Sequence, residues 1–163
     1  MGETDVKLKL PLIGKVFNGV ALLSFLSSLI YIIVKWSSLP ERVPSHYNAF
    51  GEPDAWSNKV FIFFPISIGF MLWVGCYFIE KHPHIHNYIW LTSKNKFRLY
   101  RNSMLMINFI KNEILLYFSF NIWNDVHVAK GNEPLFDVWQ LPIFLFVLFG
   151  TLFYFIFRSF KLR

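Results

Sequence analysis

Cysteine is all but missing from this 163-residue chain: Cys76 stands alone, so no intrachain disulfide holds the fold. Charge is also scarce. Charged residues make up 16% of the chain, against ~25% in an ordinary soluble domain, and only 10 of them are acidic. Several motifs are lacking too. There is no Gly-rich phosphate loop, no His-Glu-x-x-His pair and no Gly-x-Ser-x-Gly elbow, which leaves nucleotide hydrolysis, zinc proteolysis and serine hydrolysis without sequence support. The chain is therefore expected not to be an enzyme and to carry no cofactor and no metal. No long-period repeat or low-complexity linker divides it, so residues 1–163 are expected to form a single membrane domain.

Apolar and aromatic residues fill the space that charge leaves. Hydrophobic residues reach 55%, and Phe alone supplies 20. They gather into four runs at about 16–34, 60–79, 103–123 and 139–157. Each run approaches the ~20 residues that cross a ~30 Å hydrocarbon layer as a helix. Lipid cannot satisfy irregular backbone, so the expected fold is all-α, a polytopic membrane bundle of four transmembrane helices. The first run is long and lacks a small-residue cleavage site, so it is not expected to be a cleaved signal peptide. The Met1-Gly2-Glu3-Thr4-Asp5 start lacks the Ser or Thr of a myristoylation signal, having Val6 instead.

The net charge of +6 flanks the runs, which points to membrane orientation rather than nucleic acid. Lys7, Lys9, Lys15, Lys81, Lys94, Lys96, Arg98, Arg101, Arg158, Lys161 and Arg163 fall on one side; Lys35, Arg42, Lys59 and Lys130 fall on the other. The positive-inside rule then predicts both ends in the cytoplasm, an N-in/C-in protein of the cell membrane. Trp36, Trp56, Trp90, Trp123 and Trp139 lie near the predicted span ends, as an interfacial aromatic belt does. Within the spans, Ser24 and Ser28 share a face. Gly69, Gly75 with Cys76, and Gly150-Thr151 offer small surfaces for close helix approach. Pro65 is expected to loosen the start of the second span, and Pro142 to sit near the start of the fourth.

The segment 39–59 is the most distinctive. Pro40 and Pro44 favour an extended backbone, and Gly51-Glu52-Pro53-Asp54 reads as a turn. Leu39, Pro40, Pro44, His46, Tyr47, Asn48, Gly51, Asp54 and Lys59 together resemble the bacterial membrane family known as domain of unknown function 1648, over about residues 25–80. Similar domains form the N-terminal part of SdpI-type proteins, longer chains that act as immunity proteins and signal receptors for a secreted toxin. The stretch Asn87-Tyr88, Thr92-Ser93-Lys94-Asn95 and Tyr100 also looks like the family's inner loop, with Ile89 where a proline is common. The resemblance implies a membrane receptor or immunity-like protein. Its expected partners are the lipid bilayer and a peptide toxin or cytoplasmic repressor, with no nucleic acid.

Two groups of candidate site residues follow. His46, Asn48, Asp54 and Lys59 would bind a ligand at the outer surface; His46, Asn48 and Asp54 suit a hydrogen-bonded cap of the loop equally well, and His127 could approach them. Asn108, Lys111, Asn112 and Glu113 place polar and ionisable groups inside the third span. They form either a seam for a small transporter or channel component, or a seam that joins helices, with Lys111 snorkelling or the span starting later. His82, His84 and His86 alternate, so an extended strand would set them on one face, although a solvated loop needs no such role. The orientation has a direct test. Single cysteines placed at Ser45 or Asn132 of a Cys76→Ser protein should react with an impermeant maleimide on intact cells. A cysteine at Ser93 should react only after permeabilisation; the opposite pattern reverses the topology.

Overall fold

The computed structural model of the chain describes residues 8–135 and 137–162. The Met1-Gly2-Glu3-Thr4-Asp5 start, Lys7 and Arg163 lie outside them. Four long helices form: α1 at Leu12–Lys35, α2 at Phe63–Lys81, α3 at Lys96–Ala129 and α4 at Gln140–Lys161. Between α1 and α2 the chain folds back as an antiparallel pair, β1 at Arg42–Tyr47 and β2 at Pro53–Asn58. The hairpin corrects the all-α expectation. Pro44 and Pro53 sit within its strands, where an isolated two-stranded ladder leaves room for missing N–H donors.

Three of the helical segments, Leu12–Ser38, Lys59–Lys81 and Gln140–Lys161, are long and apolar enough to cross a membrane, with mean hydropathies of 2.0, 2.0 and 2.1. They mark the chain as a membrane protein. Helix α3 differs. It has 34 residues, ~51 Å of helix, and extends beyond the expected 103–123 at both ends. It is also the central element, in contact with α1, α2, α4 and β1. Its polar residues Asn102, Asn108, Lys111, Asn112 and Glu113 are all buried. Burial inside the bundle explains how a helix of low mean hydropathy sits among three greasy ones: its polar groups face protein.

The principal apolar core lies at the hairpin end. Ile32 of α1, Leu39, Val43 of β1, Ile62, Ile66 of α2, and Ile122 and Val126 of α3 form one buried cluster. Leu39 and Val43 thus plug the hairpin into the helix bundle. The two prolines of the spans occupy first turns, as expected. Pro65 follows a short 3-10 turn at Lys59–Ile62, and Pro142 is near the start of α4, so neither breaks a helix interior.

The small residues of the spans do unequal work. A Cβ on Gly69 would lie 2.6 Å from Phe118 Cβ, so this glycine sets how closely α2 approaches α3. Nothing lies within 4 Å of a Cβ on Gly75 or Gly150, so the expected close approach does not occur at those two. Ser28 is fully buried and donates back to Ser24 O at 2.9 Å, which satisfies its hydroxyl within α1. Gly69→Ala should therefore lower the stability of the purified protein by about 1–3 kcal/mol through overpacking. Gly75→Ala should be neutral or stabilising by up to about 1 kcal/mol, since alanine favours helix. Unfolding in detergent, followed by circular dichroism, compares the two.

Candidate functional site

Two polar constellations stand out, one inside the bundle and one where the hairpin meets it. The inner one is built on three helices. Lys111 of α3 is wholly buried, and its Nζ lies 2.5 Å from Oε2 of Glu80, which is 1% exposed in the last turn of α2. The ammonium also lies over the Trp73 ring at 4.5 Å and the Tyr77 ring at 4.9 Å. It has no well-aligned hydrogen bond among the described residues, so its charge is met by the carboxylate and two aromatic faces. Around the pair runs an asparagine network. Asn108 and Asn112 both donate to Asn18 Oδ1 of α1, at 2.9 and 2.8 Å. Asn108 also donates to Glu80 Oε2 at 3.1 Å, and Trp73 Nε1 donates to Asn112 Oδ1 at 2.8 Å.

Full burial rules out snorkelling for Lys111. The apolar run 60–79 leaves Glu80 just outside the expected second span, and neither group of candidate residues includes Asn18. Both carried a signal: Trp73, Tyr77 and Glu80 repeat at helical spacing on one face of α2, and Asn18 interrupts an apolar run. Glu113 stands apart from the network, as its position around the helix requires. Its Oε1 accepts from Thr151 of α4 at 2.6 Å, while Oε2 has no partner among the described residues.

The hairpin holds the second constellation. Register shifts on either side of His46 leave Ser45 and Asp54 out of the ladder pairing. Asp54 then meets His46, with Nδ1 2.5 Å from Oδ1 and both side chains substantially exposed. Asn48 closes the turn. Its Oδ1 accepts from the backbone of Phe50 and Glu52 at 2.8 and 3.1 Å, and Gly51 takes a φ of 80° to complete the reversal. The turn therefore lies at Asn48–Glu52 rather than at Gly51–Asp54, because the asparagine side chain caps it. Lys59 is drawn elsewhere, 2.9 Å from Glu41 and over the Trp36 ring. The four outer candidates thus form three separate contacts rather than one convergent set. Among the described residues, no group of three or more His, Cys, Asp or Glu is placed to hold a metal, and His46 pairs with Asp54 rather than with His127.

Tyr47 links the hairpin to the bundle. Its hydroxyl donates to Asp125 Oδ1 at 2.7 Å and accepts from Asn124 at 3.3 Å, both at the hairpin end of α3 beyond Trp123. Burial pushes the Asp125 carboxyl up to about 7, against the lowering effect of the Tyr47 bond. Burial raises the Tyr47 phenol as well, helped by the negative charge of Asp125. A cavity of about 360 Å³ adjoins this contact, between the hairpin turn, α3 and the start of α4, with Asn48, Asn121, Asn124 and Gln140 in its wall.

At the opposite end, the three histidines do not line up. Pro83 starts a 3-10 turn, which replaces the extended geometry that a shared face would need. His82 bonds Phe78 O at 2.8 Å. His86 reaches Ile79 O and Ser103 Oγ at 2.9 Å each, which ties the connecting segment to α2 and α3.

The architecture thus belongs to a class of helical membrane proteins with a small hairpin seated on one end. Residues 23–78, from α1 through the hairpin to α2, belong to the family described as domain of unknown function (DUF1648). The match covers the hairpin and the Trp73–Tyr77 face. Asn87–Tyr100 lies outside it, so the likeness of that stretch to the family's inner loop gains nothing from the match. No curated protein and no solved structure matches the chain.

The inner pair yields a clear energetic expectation. Glu80→Leu or Lys111→Met alone leaves one buried charge without its partner and should cost about 3–5 kcal/mol. The double variant Glu80→Leu/Lys111→Met should recover most of that loss, because both desolvation penalties disappear. Denaturation of the four proteins in one detergent measures the coupling; additive losses would show that the two charges do not act as a pair.

Proposed function

We propose that the chain is a four-span, N-in/C-in protein of the cell membrane that works as a receptor or immunity-like protein, taking its ligand at the hairpin and passing that event to α3. One observation carries this reading: the 2.7 Å bond from Tyr47 to Asp125, which joins the hairpin to the central helix. A ligand that displaces the Asn48–Glu52 turn pulls on Tyr47, and through Asp125 on the helix that touches every other helix. The cavity beside the turn offers amide and hydroxyl groups to a peptide backbone, and His46–Asp54 lies exposed on the hairpin's own surface. The segment 39–59 resembles a family whose domains also form the N-terminal part of SdpI-type proteins, which favours a secreted peptide toxin as the ligand. A cytoplasmic repressor would then read the opposite end of α3.

A small transporter or channel component using Asn108, Lys111, Asn112 and Glu113 is the competing reading. Lys111 and Glu80 line none of the three main cavities, and the asparagines beside them bond α1, α2 and α3 to one another, which favours a joint between helices over a path.

The receptor reading is tested by deleting the gene and restoring it as wild type, His46→Ala/Asp54→Ala or Tyr47→Phe. Each strain is then exposed to peptides from the culture supernatant of its parent cells. Wild type should raise the inhibitory concentration at least tenfold over the deletion, and both variants should lose that protection at equal membrane abundance. Equal sensitivity of deletion and wild type, or full protection by both variants, would sink the proposal.

A further inference from the structure

A groove separate from both constellations runs between α1, α3 and α4. Its volume is about 460 Å³, within the ~300–1,000 Å³ of small-molecule sites. The wall is almost wholly apolar and rich in aromatic rings: Phe17 of α1, Phe109, Tyr117 and Phe120 of α3, and Phe144 of α4. Phe17 meets Phe109 edge-on at 5.1 Å, and Tyr117 stacks on Phe144 at 4.1 Å, so the rings are held by one another. One carboxyl group stands among them. Glu113 is 8% exposed and stands in the groove wall, with Oε1 engaged by Thr151 and Oε2 covered and without a partner among the described residues. The nearby cation, Lys111, is committed to Glu80.

A carboxylate inside an apolar cavity is costly as the anion, and it takes up a proton unless a donor or a positive charge meets it. Aromatic faces attract cations, most strongly where water is excluded. The combination selects one ligand chemistry. A protonated amine offers N–H donors and positive charge to the Glu113 carboxyl, whose covered Oε2 reaches it by a turn of the side chain, and an apolar body fills the aromatic wall. Anions are repelled, and a neutral hydrocarbon leaves the oxygen unmet. We propose that this groove is a binding site for a lipophilic organic ammonium ion, with Glu113 as its counter-charge, Thr151 fixing the carboxyl, and the aromatic rings enclosing the apolar part.

Thr151 lies ~16 Å along α4 from Gln140, which gives the groove its length. Gln140 and Tyr117 also border the cavity beside the hairpin, so a ligand has a way in from that end. The occupant is placed here by its charge and donors rather than by the groove's greasiness. A helix from a second copy of the chain would bring an apolar face and leave Oε2 unmet, as bilayer acyl chains do.

The experiment uses the full chain in lipid nanodiscs, with 4-phenylbutylamine as the probe at neutral pH and empty nanodiscs as the background. Equilibrium dialysis should show saturable binding with a stoichiometry near one. Affinity should fall at least tenfold in Glu113→Gln, which keeps the shape and the Thr151 bond, and for the neutral probe 4-phenylbutanol. Val147→Trp, which fills the groove from α4, should abolish binding. A diazirine analogue of the amine should label peptides from α3 and α4 that include Phe109–Phe120 or Ile143–Thr151. If Glu113→Gln does not remain monodisperse, the block by Val147→Trp and the labelled peptides decide. Binding no greater than to empty nanodiscs, equal affinity for amine and alcohol, unchanged affinity in a folded Glu113→Gln, or labelling confined to other segments would overturn the proposal.

Discussion

A lysine ammonium cannot rest alone in a hydrocarbon-like interior, and the arrangement of α1, α2 and α3 follows from that. Lys111 needs a counter-charge, and Glu80 supplies it from the end of α2. The carboxylate and the neighbouring amides need donors and acceptors of their own. Asn108 reaches Glu80, and Asn18 takes both asparagine amides from α3. Each demand recruits another helix, so the register of three helices is fixed where their polar groups meet. Apolar side chains alone leave helices in lipid free to slide, since one greasy surface resembles another. The pair costs desolvation, and what it secures is a defined alignment.

That alignment holds the hairpin. With α1 and α2 set against α3, Ile32, Ile66 and Val126 come together at one end and accept Leu39 and Val43. Tyr47 then lies within reach of Asp125. The hairpin is too small to be stable as a free two-stranded ribbon in water, and it borrows its order from the helices below it. Its exposed His46–Asp54 contact and its Asn48-capped turn are therefore held on a rigid base.

Much of this could be read from the sequence, for a physical reason. A run of about twenty apolar residues has few fates other than a buried or lipid-facing helix, so α1, α2 and α4 were visible. Lys111 and Glu113 declared themselves as costly residues in such a run. Their partners were harder to see. Glu80 stands next to Lys81, where it passes for part of a charged flank, and a partner on another helix leaves no trace in local spacing. The hairpin was hidden by Pro44 and Pro53, which argue against strands in any sheet with neighbours on both sides. Asn48 was recognised as a possible loop cap, yet the turn was placed three residues too late, because Gly51-Glu52-Pro53-Asp54 carries stronger turn residues than the asparagine that closes it. The ends of α3 fall outside the apolar run because its outer turns are polar: Lys96, Arg98 and Arg101 lead it, and Asn124 and Asp125 close it.

The bond between Glu80 and Lys111 also bears on how the chain enters a bilayer. Synthesis proceeds from the N-terminus, so α2 is complete, with its carboxylate, before Lys111 of α3 has been made. Until α3 arrives, the place that Glu80 takes in the bundle holds no cation, and its carboxylate costs least where water or a proton meets it. The same pair that sets the final register thus ties the settling of α2 to the arrival of α3: the two helices reach their final contact only once both charges exist.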